Sequence, residues 1–302
     1  MTTEPSPRTT WQAPIRAHPL LAFFVLTFAI SWTLNGTVIV LGMEMSWTRW
    51  LLSGFLSALG PAVAAVVVVH ASDEDLREWA RGIVTWRVHP KWYVAAIGIP
   101  AALAIGSGAV AAFLGGPIDF GAFSPPVLAL AFGIVLGTFV GGGQEEIGWR
   151  GFAQPELQKR YGALVAAVVI GIIWGAWHLP LFVDPTAPHS QWPLASQAAY
   201  FVGITGFSVL LAWVYNGSGG SILLVMVMHG SENALGALVP LDAELVIVDG
   251  VPDWGALVSL TLSHVALTWV FALAVVAVVG TGLLAGRTTG NRSEGAAGSE
   301  NA

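Results

Sequence analysis

The chain contains no cysteine, which rules out a thiol nucleophile, a thiolate metal site, a cysteine-ligated iron–sulfur cluster, a disulfide and a lipidated cysteine. Charge is also scarce. Asp, Glu, Lys and Arg make up 10% of the 302 residues, against about 25% in an average soluble domain. Hydrophobic residues reach 55%, and mean hydropathy is +0.71. A soluble fold of this length keeps a largely polar exterior and could not bury so much apolar surface. Twelve basic residues face 18 acidic ones, the pI is near 5.6 and no basic stripe occurs, which excludes a nucleic-acid reader. What remains is an all-α polytopic membrane protein.

Eight apolar runs approach the roughly 20 residues needed to cross a bilayer. They lie at about 19–42, 50–70, 92–115, 126–155, 162–181, 196–215, 219–240 and 256–281. The first is too long for a removable signal sequence, and no small-residue cleavage site follows it. The reading is a helical membrane domain over 19–281, flanked by disordered tails at 1–18 and 282–302. With the N-terminus inside, every Lys and Arg except Arg49 falls at a cytoplasmic position, so both termini are expected to face the cytoplasm. The loop before the last run carries Asp242, Glu244, Asp249 and Asp253 and no base, as suits an outer loop. Leu76, Trp79, Ala80 and Ile83 repeat at helical spacing between charges and predict a short interfacial helix. Trp50, Trp86, Trp92 and Trp254 fall near run ends and read as interfacial anchors.

The chemistry lies in polar residues inside these runs, where a charged side chain costs roughly 3 kcal/mol or more. Three stretches stand out: Gln144-Glu145-Glu146-Ile147-Gly148-Trp149-Arg150, Trp174-Gly175-Ala176-Trp177-His178, and Met228-His229-Gly230-Ser231-Glu232-Asn233. Glu146 and Arg150 are i,i+4 and can pair, which leaves Glu145 as the unpaired carboxylate. His229 and Asn233 are i,i+4 as well, so an imidazole and an amide share a helix face. Glu145 lies 16 residues before Tyr161 and His178 lies 17 after it, so a hairpin at Lys159-Arg160-Tyr161 sets them face to face. The Asn216–Gly220 turn brings His229 and Asn233 to a comparable depth. Read as one helix, the fourth run is too long for the bilayer, and Gly141-Gly142-Gly143 would let it bend.

A carboxylate beside an imidazole can deprotonate water, and an imidazole with an amide can hold an oxyanion. Those are the parts for amide hydrolysis without a covalent intermediate. Glu145, His178 and His229 could instead ligate zinc. Other intramembrane hydrolase patterns are missing: there is no His-Glu-x-x-His, no Gly-x-Ser-Gly and no aspartate pair within the runs. Position alone also allows plainer readings. Each stretch could be a solvated ion pair, a helix-end histidine or interhelical hydrogen-bond glue. A proton-coupled transporter could use Glu145, Glu146 and His178 as a relay, and a non-catalytic scaffold would use none of them. His264 has only Thr261 and Thr268 as polar neighbours one turn away and reads as structural; Glu232 is left without a role. Gly171 and Gly175 form a small-x-x-x-small pair for close helix packing.

The Glu-Glu-x-x-x-Arg, aromatic-x-x-x-His and His-x-x-x-Asn runs, in this order, resemble the CPBP intramembrane protease family. That family comprises CAAX prenyl endopeptidases and bacteriocin-processing enzymes and is also called Abi. The resemblance covers about residues 125–240. It implies that Glu145 with His178 activates water, that His229 and Asn233 hold the oxyanion, and that Glu146 and Arg150 support them. No metal is required for this chemistry, although the family is often labelled metalloprotease. The family usually has Phe where this chain has Trp174, so the pocket is expected to be reshaped there. The implied partners are the lipid bilayer and a membrane-embedded or membrane-anchored peptide or protein substrate. The Ala/Gly/Val-rich composition points to a bacterial cell membrane. Since family relatives also include bacteriocin-immunity proteins, prenylation of the substrate does not follow.

Overall fold

The computed structural model describes residues 11–122, 127–242, 246–248, 250–283 and 285. Of the two expected tails, residues 1–10 and 286–302 lie outside this set, as do Glu244 and Asp249 of the acidic loop. The start of the chain departs from expectation at Gln12–Ala17, which form a short helix, α1. Arg16 fixes it by donating to the Ala71 carbonyl at 2.6 Å and pairing with Asp73 at 2.5 Å.

The described residues are almost wholly helical, as the apolar runs predict. Six helices or helix pairs are long and apolar enough to cross a membrane, beginning with α2 (Pro19–Val40). A seventh is the bent pair α3 (Trp47–Leu56) and α4 (Gly60–Ala71), whose axes differ by 45°. The second run was expected to be one helix. It breaks because Trp50–Leu56 is a π-helical stretch and Gly60-Pro61 starts a new helix, proline being favoured in a first turn. A short helix, α5 (Leu76–Ala80), follows, capped by the Asp75 carboxylate on the Arg77 and Glu78 amides. It sits where the charged amphipathic pattern predicts it.

Next come α6 (Lys91–Phe113) and α7 (Val127–Phe139). The chain then makes an irregular turn and continues as α8 (Glu146–Gly148), a π-helical turn (Trp149–Ala153) and α9 (Gln154–Tyr161). The glycine run therefore interrupts the long fourth segment, as expected. After Gly162, at φ +81°, the chain reverses into α10 (Ala163–Trp177) and α11 (Pro180–Val183). Then follow α12 (Leu194–Gly217), α13 (Ile222–Leu235) and α14 (Val258–Val279). A two-stranded hairpin, Ile247–Val248 with Val251–Pro252, lies between the last two.

The most buried span is α12, which packs between α10 and α14. Gly171 and Gly175 let α10 approach it: a Cβ on Gly171 would fall 2.7 Å from the Thr205 Cα. On the other side α13 packs against α7 and α6. Their closest approach is backbone on backbone, since a Cβ on Gly230 would meet the Thr138 amide nitrogen at 2.3 Å. Trp92, expected as an interfacial anchor, is instead buried, edge-on to Trp213 with centroids 5.0 Å apart.

Candidate active site

Three helical segments deliver the site. The turn after α7 carries Glu145, the end of α10 carries Trp174 and His178, and α13 carries His229 and Asn233. The four chemistry-bearing residues singled out by spacing, Glu145, His178, His229 and Asn233, line one cavity of about 720 Å³, together with Trp174. The hairpin at Tyr161 sets Glu145 and His178 on the same space, as its spacing predicts.

Trp174 joins the first two groups. Its indole N–H donates to Glu145 Oε2 at 2.8 Å, and its main-chain carbonyl lies 2.9 Å from His178 Nδ1. A carbonyl oxygen only accepts, so this contact assigns the proton to Nδ1 and leaves the Nε2 lone pair free. The residue that departs from the usual Phe is thus more than a pocket wall. Replacing Trp174 with Phe removes the donor to Glu145 and keeps the ring. A hydrogen bond to a charged group contributes about 1.5–3 kcal/mol, so Trp174→Phe is expected to lower kcat about 10- to 100-fold with KM little changed. An unchanged kcat would show that the indole N–H is not needed.

Behind this pair lies a second, fully buried network. Arg150 donates to both Glu146 oxygens, at 3.1 and 2.9 Å, which is the pair predicted by i,i+4 spacing. Spacing did not reveal the rest. Glu146 Oε1 also lies 2.9 Å from His229 Nδ1, and Arg150 Nη2 reaches Ser208 Oγ at 2.7 Å. Ser208 in turn donates to the Ala167 carbonyl at 2.6 Å, tying the network to α10. The guanidinium also lies 5.1 Å from the Trp174 ring centroid. A carboxylate on Nδ1 aims the other ring nitrogen of His229 away from the network, and Nε2 can then donate only from a doubly protonated ring.

Asn233 Nδ2 donates to the Gly141 carbonyl at 2.6 Å, which uses one of its two hydrogens and leaves the second. Gly142 lies against this amide and the imidazole, with φ +118°. A Cβ there would fall 2.6 Å from Asn233 Nδ2 and 2.8 Å from His229 Nε2. Only glycine both adopts this backbone shape and leaves room between the two donors.

At the cavity wall beside His178, Tyr200 stands edge-on to the imidazole, with centroids 5.6 Å apart. Beyond it, His189 is enclosed by Phe182, Trp192 and Tyr200, and burial pushes its imidazole pKa down. The loop bearing His189 is held by a buried ion pair between Asp184 and Arg49, the one basic residue that sequence placed outside. His264 was expected to be structural with threonine neighbours. It instead contacts Glu232 Oε1 at 2.8 Å through Nε2, and both residues line the cavity. Among the described residues, no three His, Asp or Glu side chains are grouped to hold a metal ion, so the arrangement does not fit a ready zinc cage.

Fold and site together define a polytopic helical membrane protein with a carboxylate, two imidazoles and an amide around one internal cavity. Residues 126–235 match the family model described as type II CAAX prenyl endopeptidase Rce1-like. Among curated proteins, the chain is similar to CAAX prenyl protease 2 of Methanococcus maripaludis, at 29% identity over 140 residues. That stretch is 44% of this chain and 48% of the relative, so the match spans about half the relative's length. The family resemblance drawn from the three motifs is borne out, and all four cavity residues fall inside the matched stretch.

Proposed function

We propose that the protein is a membrane endopeptidase that hydrolyses a peptide bond of a membrane-embedded or membrane-anchored substrate, with CAAX-protease-like chemistry. The observation that carries this reading is the convergence of Glu145, His178, His229 and Asn233 on one cavity. A water between Glu145 and the free His178 Nε2 gives up a proton to the carboxylate, and its oxygen attacks the scissile carbonyl. The oxyanion accepts hydrogen bonds from His229 Nε2 and the second Asn233 N–H beside Gly142. The proton on Glu145 then passes to the leaving amine as the C–N bond breaks. Glu146 and Arg150 orient His229. A comparison of membrane peptides from wild-type cells and cells carrying Glu145→Ala tests the reading. Fragments that appear only with Glu145 identify the substrate, and identical peptide sets remove the protease reading.

The site works without a metal in this proposal. Asn233 is a poor zinc ligand and a good oxyanion donor, and Glu146 is already engaged by Arg150 and His229. Turnover is therefore expected to survive exhaustive chelation. Activity lost to chelator and restored by zinc alone would make the protein a metalloprotease.

We place both termini on the cytoplasmic side on the distribution of Lys and Arg, and assign a bacterial cell membrane on the Ala/Gly/Val-rich composition. Reporter fusions at Thr288 and after Pro252 should read cytoplasm and exterior respectively. The opposite reading at either point would change the polarity or number of spans.

A further inference from the structure

The Glu232–His264 pair belongs to neither the water-activating groups nor the oxyanion groups. Both residues nevertheless line the same cavity, and their side chains are partly open to it, at 19% and 34% exposure. One Glu232 oxygen holds the imidazole, and the other is shielded from solvent with no hydrogen-bond partner. An ionisable pair within spanning helices is costly to keep and marks function by default. A helix packing contact alone would be served by two apolar side chains, without an unsatisfied oxygen.

Helix geometry fixes where the pair lies relative to the proposed chemistry. At about 100° per residue, Asn233 and Glu232 leave α13 on opposite sides of His229. Asn233 turns to Gly141, and Glu232 turns to His264 on α14. A chain laid across His229 and Asn233 with its carbonyl on the oxyanion site therefore meets Glu232 and His264 on the α14 side. His264 lies outside the stretch matched by the family model, so α14 closes this wall from beyond that stretch.

We propose that Glu232 and His264 form a specificity subsite for a substrate residue flanking the scissile bond. It favours a side chain that donates a hydrogen bond or carries positive charge, and it rejects a carboxylate. A cation or donor at the cavity wall is drawn to the negative charge of the partly exposed Glu232 side chain, whereas an acidic side chain meets like charge at low dielectric. This rests on the endopeptidase reading, and the experiment separates the two.

The protein is reconstituted in lipid vesicles with a single-span peptide substrate identified through its dependence on Glu145. That peptide is remade with Lys, Gln or Glu at each of the two residues on either side of the cleaved bond. The readout is the ratio of kcat/KM for Lys over Glu. In wild type this ratio should exceed about ten at one position. Glu232→Gln should bring it close to one. His264→Phe leaves the Glu232 charge without its partner and should raise the ratio. Loss of a merely structural contact would lower cleavage of all peptides alike, without moving the ratio in opposite directions. If Glu232→Gln does not assemble, the rise in His264→Phe carries the test. An unchanged ratio in both variants, with cleavage still dependent on Glu145, overturns the subsite and leaves the endopeptidase reading standing. Failure to find any Glu145-dependent cleavage overturns both.

Discussion

Glu145→Ala is expected to lower turnover at least about 100-fold while the protein still assembles in the membrane, because removal of a positioned general base costs that much or more. Folding should survive because the hydrogen bonds of the buried Arg150 network run through Glu146, His229 and Ser208 and not through Glu145. It accepts a hydrogen bond from Trp174, and the variant leaves that indole N–H unpaired at a cost of about 1–3 kcal/mol. His229→Ala is expected to lose activity to a similar degree through the oxyanion, again about 100-fold. The measurement is initial rate on a verified substrate beside a monodispersity profile of the purified variant. Near-normal turnover in Glu145→Ala would mean that the water is activated elsewhere in the cavity.

Arg150→Met should act on the fold itself. The guanidinium and the Glu146 carboxylate are both wholly shielded from solvent, and Glu146 shares an oxygen with His229. Removing one partner of such a buried pair costs about 3–5 kcal/mol, because the remaining charge is left uncompensated. Thermal unfolding in detergent should show a large drop in midpoint. The double variant Glu146→Gln with Arg150→Met should recover part of it, since neither charge is then stranded. A single variant that melts within about 2 °C of wild type would show that the buried pair adds little to the packing that holds this part of the bundle.

The sequence made the helices legible because apolar run length and the positions of glycine and proline report directly on helices in lipid. The Glu146–Arg150 pair was legible because both residues lie on one helix with a fixed repeat. Contacts between helices were harder. Glu146 and His229 are 83 residues apart, and Trp174 and Glu145 are 29 apart. Hairpin arithmetic gives their depth but not the rotation of each helix about its axis. That rotation decides which neighbour a side chain meets. The partner of His264 was hidden for this reason: its neighbours along α14 are threonines, and Glu232 comes from α13. The break in the second run had a visible signal, Gly60-Pro61, which marks a helix start better than a helix interior.

The shortness of α13 has a consequence for how water reaches the site. Together with its final turn the helix covers Ile222–Leu238, 17 residues. At 1.5 Å per residue this is about 25 Å, several ångströms less than a hydrocarbon core of about 30 Å. A helix of that length cannot reach both polar faces of the bilayer, so one end stops short of the headgroups. The helix that falls short is the one bearing His229 and Asn233. A hydrolytic reaction consumes one water per turnover, and bulk hydrocarbon supplies almost none. Local membrane thickness therefore becomes a variable of the reaction: bilayers of longer acyl chains should bury the end of α13 more deeply, lengthen the path of water to the site and slow turnover, with no residue of the protein changed.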